Sequence, residues 1–325
     1  MNHLMSRRTV VRSSAAAVLA ARVHRTAAQA SSPAFTLPIG LPGEHLGDGF
    51  LIRHGYACEN VWYNPGWLHT AEDFYVPDGN AAGAGVYAVA DGEIVFAGSE
   101  YPGLVVIVQH AGDLYSMYGH LDYALISDRG RVERGQLLGT VLDRTDGRAP
   151  SHLHFEFRTF LTTREVNGDA PRYSVGCGFQ CAPGPGYWPI DAPEHPSALG
   201  WRNPTHVIAN RAYDEAPPDG AEVVVASGSS GSATLWSEPA DHADAEPIGD
   251  LPLAAGDRYR LRSIAAGPED SQATSAEGYR LWYRLEAPDG GPAWVQAATP
   301  SSNDTGSDGR PSSVRLDFLL AVTAD

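Results

Sequence analysis

The chain contains no lysine, and all 23 of its basic residues are arginines. Proteins that carry a lipoyl or biotinyl group attach it to a lysine, so the chain is neither of these carriers. Acidic residues number 39, and the formal net charge is −16. Bulk electrostatics therefore do not draw the chain to nucleic acid, and binding to any other polyanion would need specific contacts.

Cysteine is scarce, with only Cys58, Cys177 and Cys181 in 325 residues. In an exported protein, an odd number of cysteines allows one disulfide and one remaining thiol. Cys177 and Cys181 can close a small ring in a Gly/Pro-rich loop, and pairing of Cys58 with either of them is equally allowed. A cysteine zinc site is a third alternative, although the chain has no CxxC pair.

Long apolar runs are absent, so no segment is expected to span a membrane. The N-terminus carries Arg7-Arg8, then a short apolar run around Ala15–Ala21, then Ala28-Gln29-Ala30. This order is typical of a secretory signal peptide over residues 1–30, and the paired arginines resemble a twin-arginine signal. A fraying alanine-rich helix is the alternative. We expect export to the periplasm, the cell wall or the extracellular space.

The region from residue 70 to residue 158 shows β-rich runs and no long amphipathic helix. Two such runs flank Asp91-Gly92, which predicts a hairpin over Val86–Ala97. A second hairpin is predicted over Leu104–His120, with its turn at Ala111-Gly112-Asp113. The region is therefore predicted to be a mostly antiparallel β-domain.

A strand is also predicted at residues 151–157, because apolar and polar side chains alternate there. Side chains two residues apart share a face, so His152, His154 and Glu156 point one way. Two imidazoles side by side on a rigid strand suit a metal site. Glu156 is interpreted as a surface residue, with orientation of an imidazole as the alternative. The opposite face points into the core and consists of Leu153, Phe155 and Phe157.

Two further motifs accompany this strand, namely His69-x-x-x-Asp73 and Tyr118-Gly119-His120-Leu121. Together with His152-x-His154 they resemble the lysostaphin-type zinc metalloendopeptidases, also called the LytM family. Most members of that family cut peptides of bacterial peptidoglycan. The resemblance covers residues 69–158, and Ala71 stands where the family usually has glycine.

The resemblance implies an antiparallel β-sandwich of the duplicated hybrid motif type and one zinc ion per chain. It implies that His69, Asp73 and His154 bind the zinc. Two imidazoles and one carboxylate leave a fourth position open for water, as in a catalytic zinc site. The positions of His120 and His152 match the catalytic histidines of the family. His152 would take a proton from the water, and His120 would stabilise the oxyanion or protonate the leaving amine.

The domain organisation follows from changes in composition along the chain. The metallopeptidase domain is predicted over residues 31–213, with an insertion at residues 159–200. That insertion is interpreted either as a wall of the substrate groove or as a surface excursion. Beyond a linker at residues 214–220, residues 221–300 resemble a small bacterial SH3-like β-barrel. The tail at residues 301–325 is predicted to begin with a linker over residues 301–312 and to add one last strand at Val314–Val322.

The sequence thus predicts an exported, monomeric zinc metalloendopeptidase whose partners are peptidoglycan peptides or cross-bridges. Two alternatives remain open. One is an exported metallopeptidase that acts on peptides other than murein. The other is an inactive relative that binds the wall and regulates other hydrolases. A cytoplasmic phosphohistidine carrier is rejected because it has no use for a signal peptide or for the His69-x-x-x-Asp73 motif.

Overall fold

The computed structural model describes residues 33–324 except 78, 101–102, 126–128, 146, 148, 162–185, 273–279 and 308. The predicted signal peptide and most of the predicted insertion, with Cys177 and Cys181, lie outside the described residues. The strands are β1 (Ile39–Gly40), β2 (Leu51–Arg53), β3 (Glu59–Asn60), β4 (Asn64–His69), β5 (Glu72–Tyr75), β6 (Gly85–Tyr87), β7 (Gly92–Glu100), β8 (Gly103–His110), β9 (Leu114–Ala124), β10 (Gly130–Val132), β11 (Leu137–Val141), β12 (Leu153–Arg158), β13 (Tyr187–Pro189), β14 (Trp201–Arg202), β15 (Glu222–Val225), β16 (Ser232–Trp236), β17 (Pro247–Pro252), β18 (Arg258–Ala266), β19 (Leu281–Glu286), β20 (Pro292–Gln296), β21 (Ala298–Thr305), β22 (Pro311–Leu316) and β23 (Phe318–Leu320).

The predicted fold class is confirmed, because strands far outnumber helices among the described elements and neighbouring strands pair antiparallel. Thirteen of the described strands form one sheet with the main order β1-β6-β11-β9-β12-β5-β2-β22-β21. Outside this main order, β8 pairs with β9, β7 pairs with β8, and β10 pairs with β7. Strand β14 pairs with β12. A small sheet has the order β13-β4-β3, and a third has the order β17-β16-β20-β19-β18-β15-β23.

Strand β12 lies in the middle of the large sheet, and all six of its residues are buried. Its Phe155 ring packs against Phe74 of β5 and Tyr118 of β9, with ring centroids 6.4 and 5.2 Å apart. The register pairs His154 with Asp73 on one side and with Gly119 on the other. This pairing brings three segments that are far apart in the sequence to one point in the sheet.

One described helical segment lies at the end of the predicted insertion, and another follows it. They are a 3-10 helix (Pro196–Leu199) and α1 (Pro204–Asn210). Asn203 caps α1 by accepting a hydrogen bond from the His206 backbone N–H at 3.1 Å. The buried carboxylate of Glu72, on β5, accepts hydrogen bonds from the backbone N–H and the hydroxyl of Thr205 at 3.2 and 2.9 Å. In the part of the chain that the structure describes, no helix is long and apolar enough to cross a bilayer.

The hairpin predicted around Asp91-Gly92 is wrong, whereas the one formed by β8 and β9 is confirmed. Strand β7 begins at Gly92 and pairs with β8 and β10, not with β6. A type I′ turn needs positive φ at both central residues, and neither Asp91 nor Gly92 has it. Gly92 is needed for space, because a Cβ there would lie 2.6 Å from the Gln109 carbonyl oxygen.

The C-terminal segment also differs from the prediction. Residues 301–312, predicted as a linker, contribute to β21 and β22. Strand β22 pairs with β2 and extends the sheet that contains β5 and β12. Ser, Gly and Asp dominate this stretch, so its sequence lacks apolar alternation. Strands β21 and β22 pair with each other, and Val314 and Arg315 of β22 pair with β2. The SH3-like assignment of residues 221–300 stays a prediction.

Gly139 on β11 allows a close approach between β11 and the strand that carries His120. A Cβ at Gly139 would lie 2.2 Å from the backbone oxygen of Tyr123 on β9. We predict that Gly139→Ala lowers the free energy of unfolding by about 1–3 kcal/mol, the usual cost of overpacking. Chemical denaturation of the purified chain measures this loss.

Gly130→Ala is the matched control, because a Cβ at Gly130 on β10 meets no described heavy atom within 4 Å. It should leave the free energy of unfolding near that of the unaltered chain. Equal losses for the two variants would show that the close approach at Gly139 does not limit stability.

Candidate metal centre

Three predicted ligands meet at one point in the structure. His69 ends β4, Asp73 lies on β5 and His154 lies on β12. Asp73 Oδ1 is 3.1 Å from His154 Nδ1 and 3.4 Å from His69 Nε2, and the two imidazole nitrogens are 3.2 Å apart. All three side chains are buried, and their ligand atoms lie close enough together to hold a metal ion.

The hydrogen bonds behind the imidazoles determine which ring nitrogen carries a proton. The backbone oxygen of His54 lies 2.6 Å from His69 Nδ1. A carbonyl oxygen only accepts, so Nδ1 donates and Nε2 of neutral His69 keeps its lone pair. In the same way, Glu156 Oε1 accepts from His154 Nε2 at 3.1 Å, which leaves the lone pair of neutral His154 on Nδ1. Both lone pairs therefore face Asp73.

Electrostatics identify where positive charge is favoured in this centre. Burial lowers the pKa of His69 to about 4, although the Asp73 carboxylate offsets part of that effect. Burial also opposes charge on His154, but its hydrogen bonds to Asp73 and Glu156 outweigh burial and raise its pKa to about 9. Burial likewise acts against charge on Asp73, yet the surrounding imidazoles hold its pKa well below the usual range. The centre thus favours one positive charge between three ligand atoms.

The donor set fits a divalent zinc ion. Zinc is bound in proteins by imidazole nitrogen and carboxylate oxygen, and a catalytic zinc keeps three protein ligands and one open position. His69 Nε2, Asp73 Oδ1 and His154 Nδ1 would supply these ligands. Nδ1 of His69 and Nε2 of His154 each donate to an oxygen behind the ring, which is the arrangement that orients metal-bound histidines in proteins.

The two predicted catalytic histidines lie beside the three ligands. The His120 and His152 ring centroids are 4.6 Å apart, and His152 Nε2 lies 3.7 Å from Asp73 Oδ2. His152 Nδ1 donates to the Pro150 carbonyl oxygen at 2.8 Å, so its Nε2 lone pair faces the centre. His120 has a φ of 60°, a backbone conformation that costs energy for a residue other than glycine and that clusters at functional sites.

Burial keeps both of these histidines neutral. It lowers the pKa of His120 to about 3, and the neighbouring His152 and His154 act in the same direction. Burial also lowers the pKa of His152, with partial compensation from Asp73. At neutral pH, His152 therefore presents a lone pair that can accept a proton, and His120 presents a ring N–H that can donate a hydrogen bond.

The interpretation of Glu156 as a surface residue is wrong. Its side chain is fully buried. In addition to His154, its carboxylate accepts hydrogen bonds from Thr70 Oγ1 at 3.1 Å, Arg158 Nη1 at 3.2 Å and Trp201 Nε1 at 3.2 Å. Trp201 of β14, the strand that pairs with β12, and Thr70 after β4 both contact Glu156, and the alternation of residues within β12 alone does not reveal these contacts.

Two tyrosines at the site were missed by the sequence analysis. The Tyr75 ring stacks on His152, with centroids 4.4 Å apart and planes at 17°. Tyr75 lies two residues after Asp73 on the same strand and so shares its face, a signal that could have identified it. Tyr187 packs on His69 at 5.1 Å, because β13 pairs with β4. The sequence offers no comparable signal for Tyr187, since this contact depends on pairing between distant segments.

The cysteine alternatives stay predictions, because two of the three cysteines lie outside the described residues. Cys58 is buried, and its Sγ lies 3.6 Å from the Tyr56 carbonyl oxygen and 4.0 Å from the Pro311 carbonyl oxygen.

Comparison with known proteins is consistent with this centre. A profile described as peptidase family M23 matches residues 68–168. The cell division protein DipM of Caulobacter vibrioides is 39% identical over 85 residues, which cover 26% of this chain and 14% of DipM. The peptidoglycan DD-endopeptidase ShyA of Vibrio cholerae is 34% identical over 101 residues, which cover 30% of this chain and 22% of ShyA.

NlpD proteins also match part of the chain. The murein hydrolase activator NlpD of Escherichia coli is 35% identical over 78 residues, covering 23% of this chain and 20% of NlpD. The lipoprotein NlpD of Yersinia enterocolitica is 33% identical over 78 residues, covering 23% of this chain and 78% of that protein. The chain thus spans less than a quarter of DipM, ShyA and E. coli NlpD. It belongs to peptidase family M23.

Glu156 should control how well the centre holds a metal ion, because its carboxylate fixes the ring of His154. Loss of a partner that orients a ligand typically weakens metal binding about 10–100-fold. We predict an increase of that size in the zinc dissociation constant for Glu156→Gln, measured by competition with a chelator. Glu286→Gln alters another carboxylate, which accepts from Arg262 on β18, and should leave zinc binding unchanged. A zinc dissociation constant unaffected by Glu156→Gln would contradict the orienting role.

Zinc affinity should also rise with pH up to about pH 9. Below the raised pKa of His154, about 9, the ion must displace a proton from that ring. We therefore predict an increase of about tenfold per pH unit between pH 7 and pH 9, and a plateau above it. Chelator competition across this range tests the slope. A pH-independent dissociation constant between pH 7 and pH 9 would show that His154 carries no proton for the ion to displace.

Proposed function

We propose that the chain is an exported zinc metalloendopeptidase that hydrolyses peptide bonds of bacterial peptidoglycan. The observation that carries the proposal is the position of His152. Its Nε2 lone pair lies 3.7 Å from an oxygen of Asp73, directly beside three converging ligand atoms. A structural metal site would need no unprotonated base aimed at it. A hydrolytic site needs both a metal ion and an unprotonated base beside it.

Zinc held by His69, Asp73 and His154 would act as a Lewis acid and supply an activated water. His152 accepts a proton at Nε2, because the Pro150 carbonyl oxygen occupies the Nδ1–H. The Tyr75 ring limits rotation of His152 by stacking on one of its faces. Together these contacts hold the base in one orientation before substrate arrives.

His120 acts from the adjacent strand. Because burial keeps its imidazole neutral, its ring N–H can donate a hydrogen bond to the oxyanion that develops on the scissile carbonyl. The leaving amine needs a proton, and His152 can deliver to it the proton that it has accepted. We assign His120 to oxyanion stabilisation and His152 to proton transfer.

Peptidoglycan as the substrate is supported by the relatives and by the predicted export. ShyA is a peptidoglycan DD-endopeptidase by name, and E. coli NlpD is a murein hydrolase activator by name. The twin-arginine-type signal over residues 1–30 would deliver a folded enzyme across the membrane. The SH3-like region at residues 221–300 would bring it to the wall, and the enzyme would act as a monomer.

A second candidate function is an inactive regulator of other wall hydrolases. It is favoured by the likeness to E. coli NlpD, which carries the name of an activator. Against it, all five positions of the proposed catalytic set are present in one cluster. An exported metallopeptidase of peptides other than murein is the third candidate, and the choice of substrate distinguishes it.

The proposal is tested by metal content and hydrolysis measured on the same variants. Alanine at His69, Asp73 or His154 should abolish both zinc binding and release of peptide fragments from purified sacculi. His152→Ala and His120→Ala should retain about one zinc per chain while turnover falls about 10²–10⁴-fold.

Three outcomes would contradict it. Zinc-loaded chain that releases no fragment from sacculi but stimulates a partner hydrolase would favour the regulator. Cleavage of soluble peptides without cleavage of sacculi would favour another substrate. Full activity of both the His120 and the His152 variants would contradict the mechanism.

A further inference from the structure

We propose that the C-terminal hairpin, β21 and β22, positions the metal ligand His69 and thereby sets the zinc affinity of the catalytic centre. The inference rests on the proposed function, because it takes His69 to be a zinc ligand. It assigns a role in the peptidase site to a segment that follows His69 by more than 200 residues.

The ligand loop, residues 54–58, holds both the ring and the backbone of His69. The His54 carbonyl oxygen accepts from His69 Nδ1 at 2.6 Å. The Ala57 N–H donates to the His69 carbonyl oxygen at 2.7 Å, and the His69 N–H donates to the Cys58 carbonyl oxygen at 2.8 Å. Any displacement of this loop therefore moves the imidazole that faces Asp73.

The ligand loop is strained, so it depends on what surrounds it. His54 and Ala57 have φ values of 57° and 55°, in the left-handed region that residues other than glycine rarely adopt. Each such residue costs on the order of 1–3 kcal/mol and persists only when neighbouring contacts over-determine it. The contacts that hold the loop should therefore be identifiable in the structure.

Several of these contacts come from the C-terminal part of the chain. Gly55 N–H donates to the Ser312 carbonyl oxygen at 2.7 Å. Gln272 Nε2 donates to the Ala57 carbonyl oxygen at 3.1 Å. Strand β2, which leads into the ligand loop, pairs with β22 on one side and with β5, the strand of Asp73, on the other. The C-terminal hairpin and the strand of Asp73 thus lie on the two sides of β2.

Glu59 links the hairpin formed by β3 and β4, which carries His69, to the C-terminal hairpin. Its Oε1 accepts from the Gly66 N–H at 2.8 Å, and so ties β3 to β4. Its Oε2 accepts from the Ser307 N–H at 2.9 Å and also from the Ser307 hydroxyl. Hydrogen bonds to a carboxylate are stronger than bonds between neutral groups. If the Glu59 contacts hold His69 in place, their removal should weaken zinc binding more than it lowers the stability of the fold.

Ser307 allows a test that leaves the core intact, because its side chain is exposed. Ser307→Ala removes the hydroxyl donor to Glu59, and Ser307→Thr retains it. Ser237→Ala is the matched control, since Ser237 Oγ accepts from the Glu246 N–H at 3.0 Å without a described contact to the ligand loop or to the C-terminal hairpin. Glu59→Ala removes all three acceptor contacts and gives the strongest expected effect.

The experiment measures the zinc dissociation constant by chelator competition and the melting temperature of the zinc-free chain. We expect Ser307→Ala to weaken zinc binding several-fold and Glu59→Ala to weaken it about 10–100-fold, as for other groups that orient a ligand. Ser307→Thr should bind zinc like the unaltered chain. Ser237→Ala should leave the zinc dissociation constant unchanged, whatever its effect on the melting temperature.

Zinc affinity unchanged by Ser307→Ala and Glu59→Ala, or weakened equally by Ser237→Ala, would overturn the inference while leaving the proposed function intact. An unaltered chain that binds no zinc would overturn the proposed function and the inference with it. If Glu59→Ala does not fold, the pair Ser307→Ala and Ser307→Thr decides the question alone.

Discussion

Three ligand atoms with electron pairs face one another in a buried space, and the rest of the site depends on this constraint. His69 Nε2, Asp73 Oδ1 and His154 Nδ1 lie 3.1–3.4 Å apart. Uncompensated polar groups at such distances repel, and burial away from water increases the cost. A positive charge must therefore lie among them. A proton on His154 supplies it in the metal-free chain, and a divalent cation would take its place.

The large sheet creates this constraint through the register of its strands. Pairing of His154 with both Asp73 and Gly119 leaves no freedom in the spacing of the ligands or of His120. Behind His154, the carboxylate of Glu156 lies in a buried ion pair with Arg158. A buried ion pair contributes little net stability, and removal of one partner is costly because the other charge remains. In the proposed metal centre, its contribution would be to orient the ring of His154.

Sequence reasoning was most successful where chemistry is carried by spacing. The His69-x-x-x-Asp73, Tyr118-Gly119-His120-Leu121 and His152-x-His154 motifs identified five side chains that the structure brings together. It failed where contacts come from distant strands. Burial of Glu156 depends on Trp201, and the ligand loop is held by backbone groups such as that of Ser312. Neither relation leaves a periodic signal in the local sequence.

Predictions from a turn motif and from composition were also wrong at two places. Asp91-Gly92 is a strong hairpin signal, but its glycine serves close packing against Gln109 instead of positive φ. Residues 301–312 read as a linker because side chains rich in Ser, Gly and Asp carry no apolar pattern. Their strands form through backbone pairing, first with each other and then with β2. Strand pairing of this kind can be recognised only when the position of the partner strand is known.

The most direct test of the metal centre is the X-ray absorption spectrum of the zinc-loaded chain. The account predicts only nitrogen and oxygen ligands at about 2.0–2.2 Å, with the outer scattering of two imidazoles. A sulfur shell at about 2.3 Å would assign the zinc to cysteines. A spectrum with three or more imidazoles would place His152 or His120 on the metal. Either result would contradict a centre built from His69, Asp73 and His154.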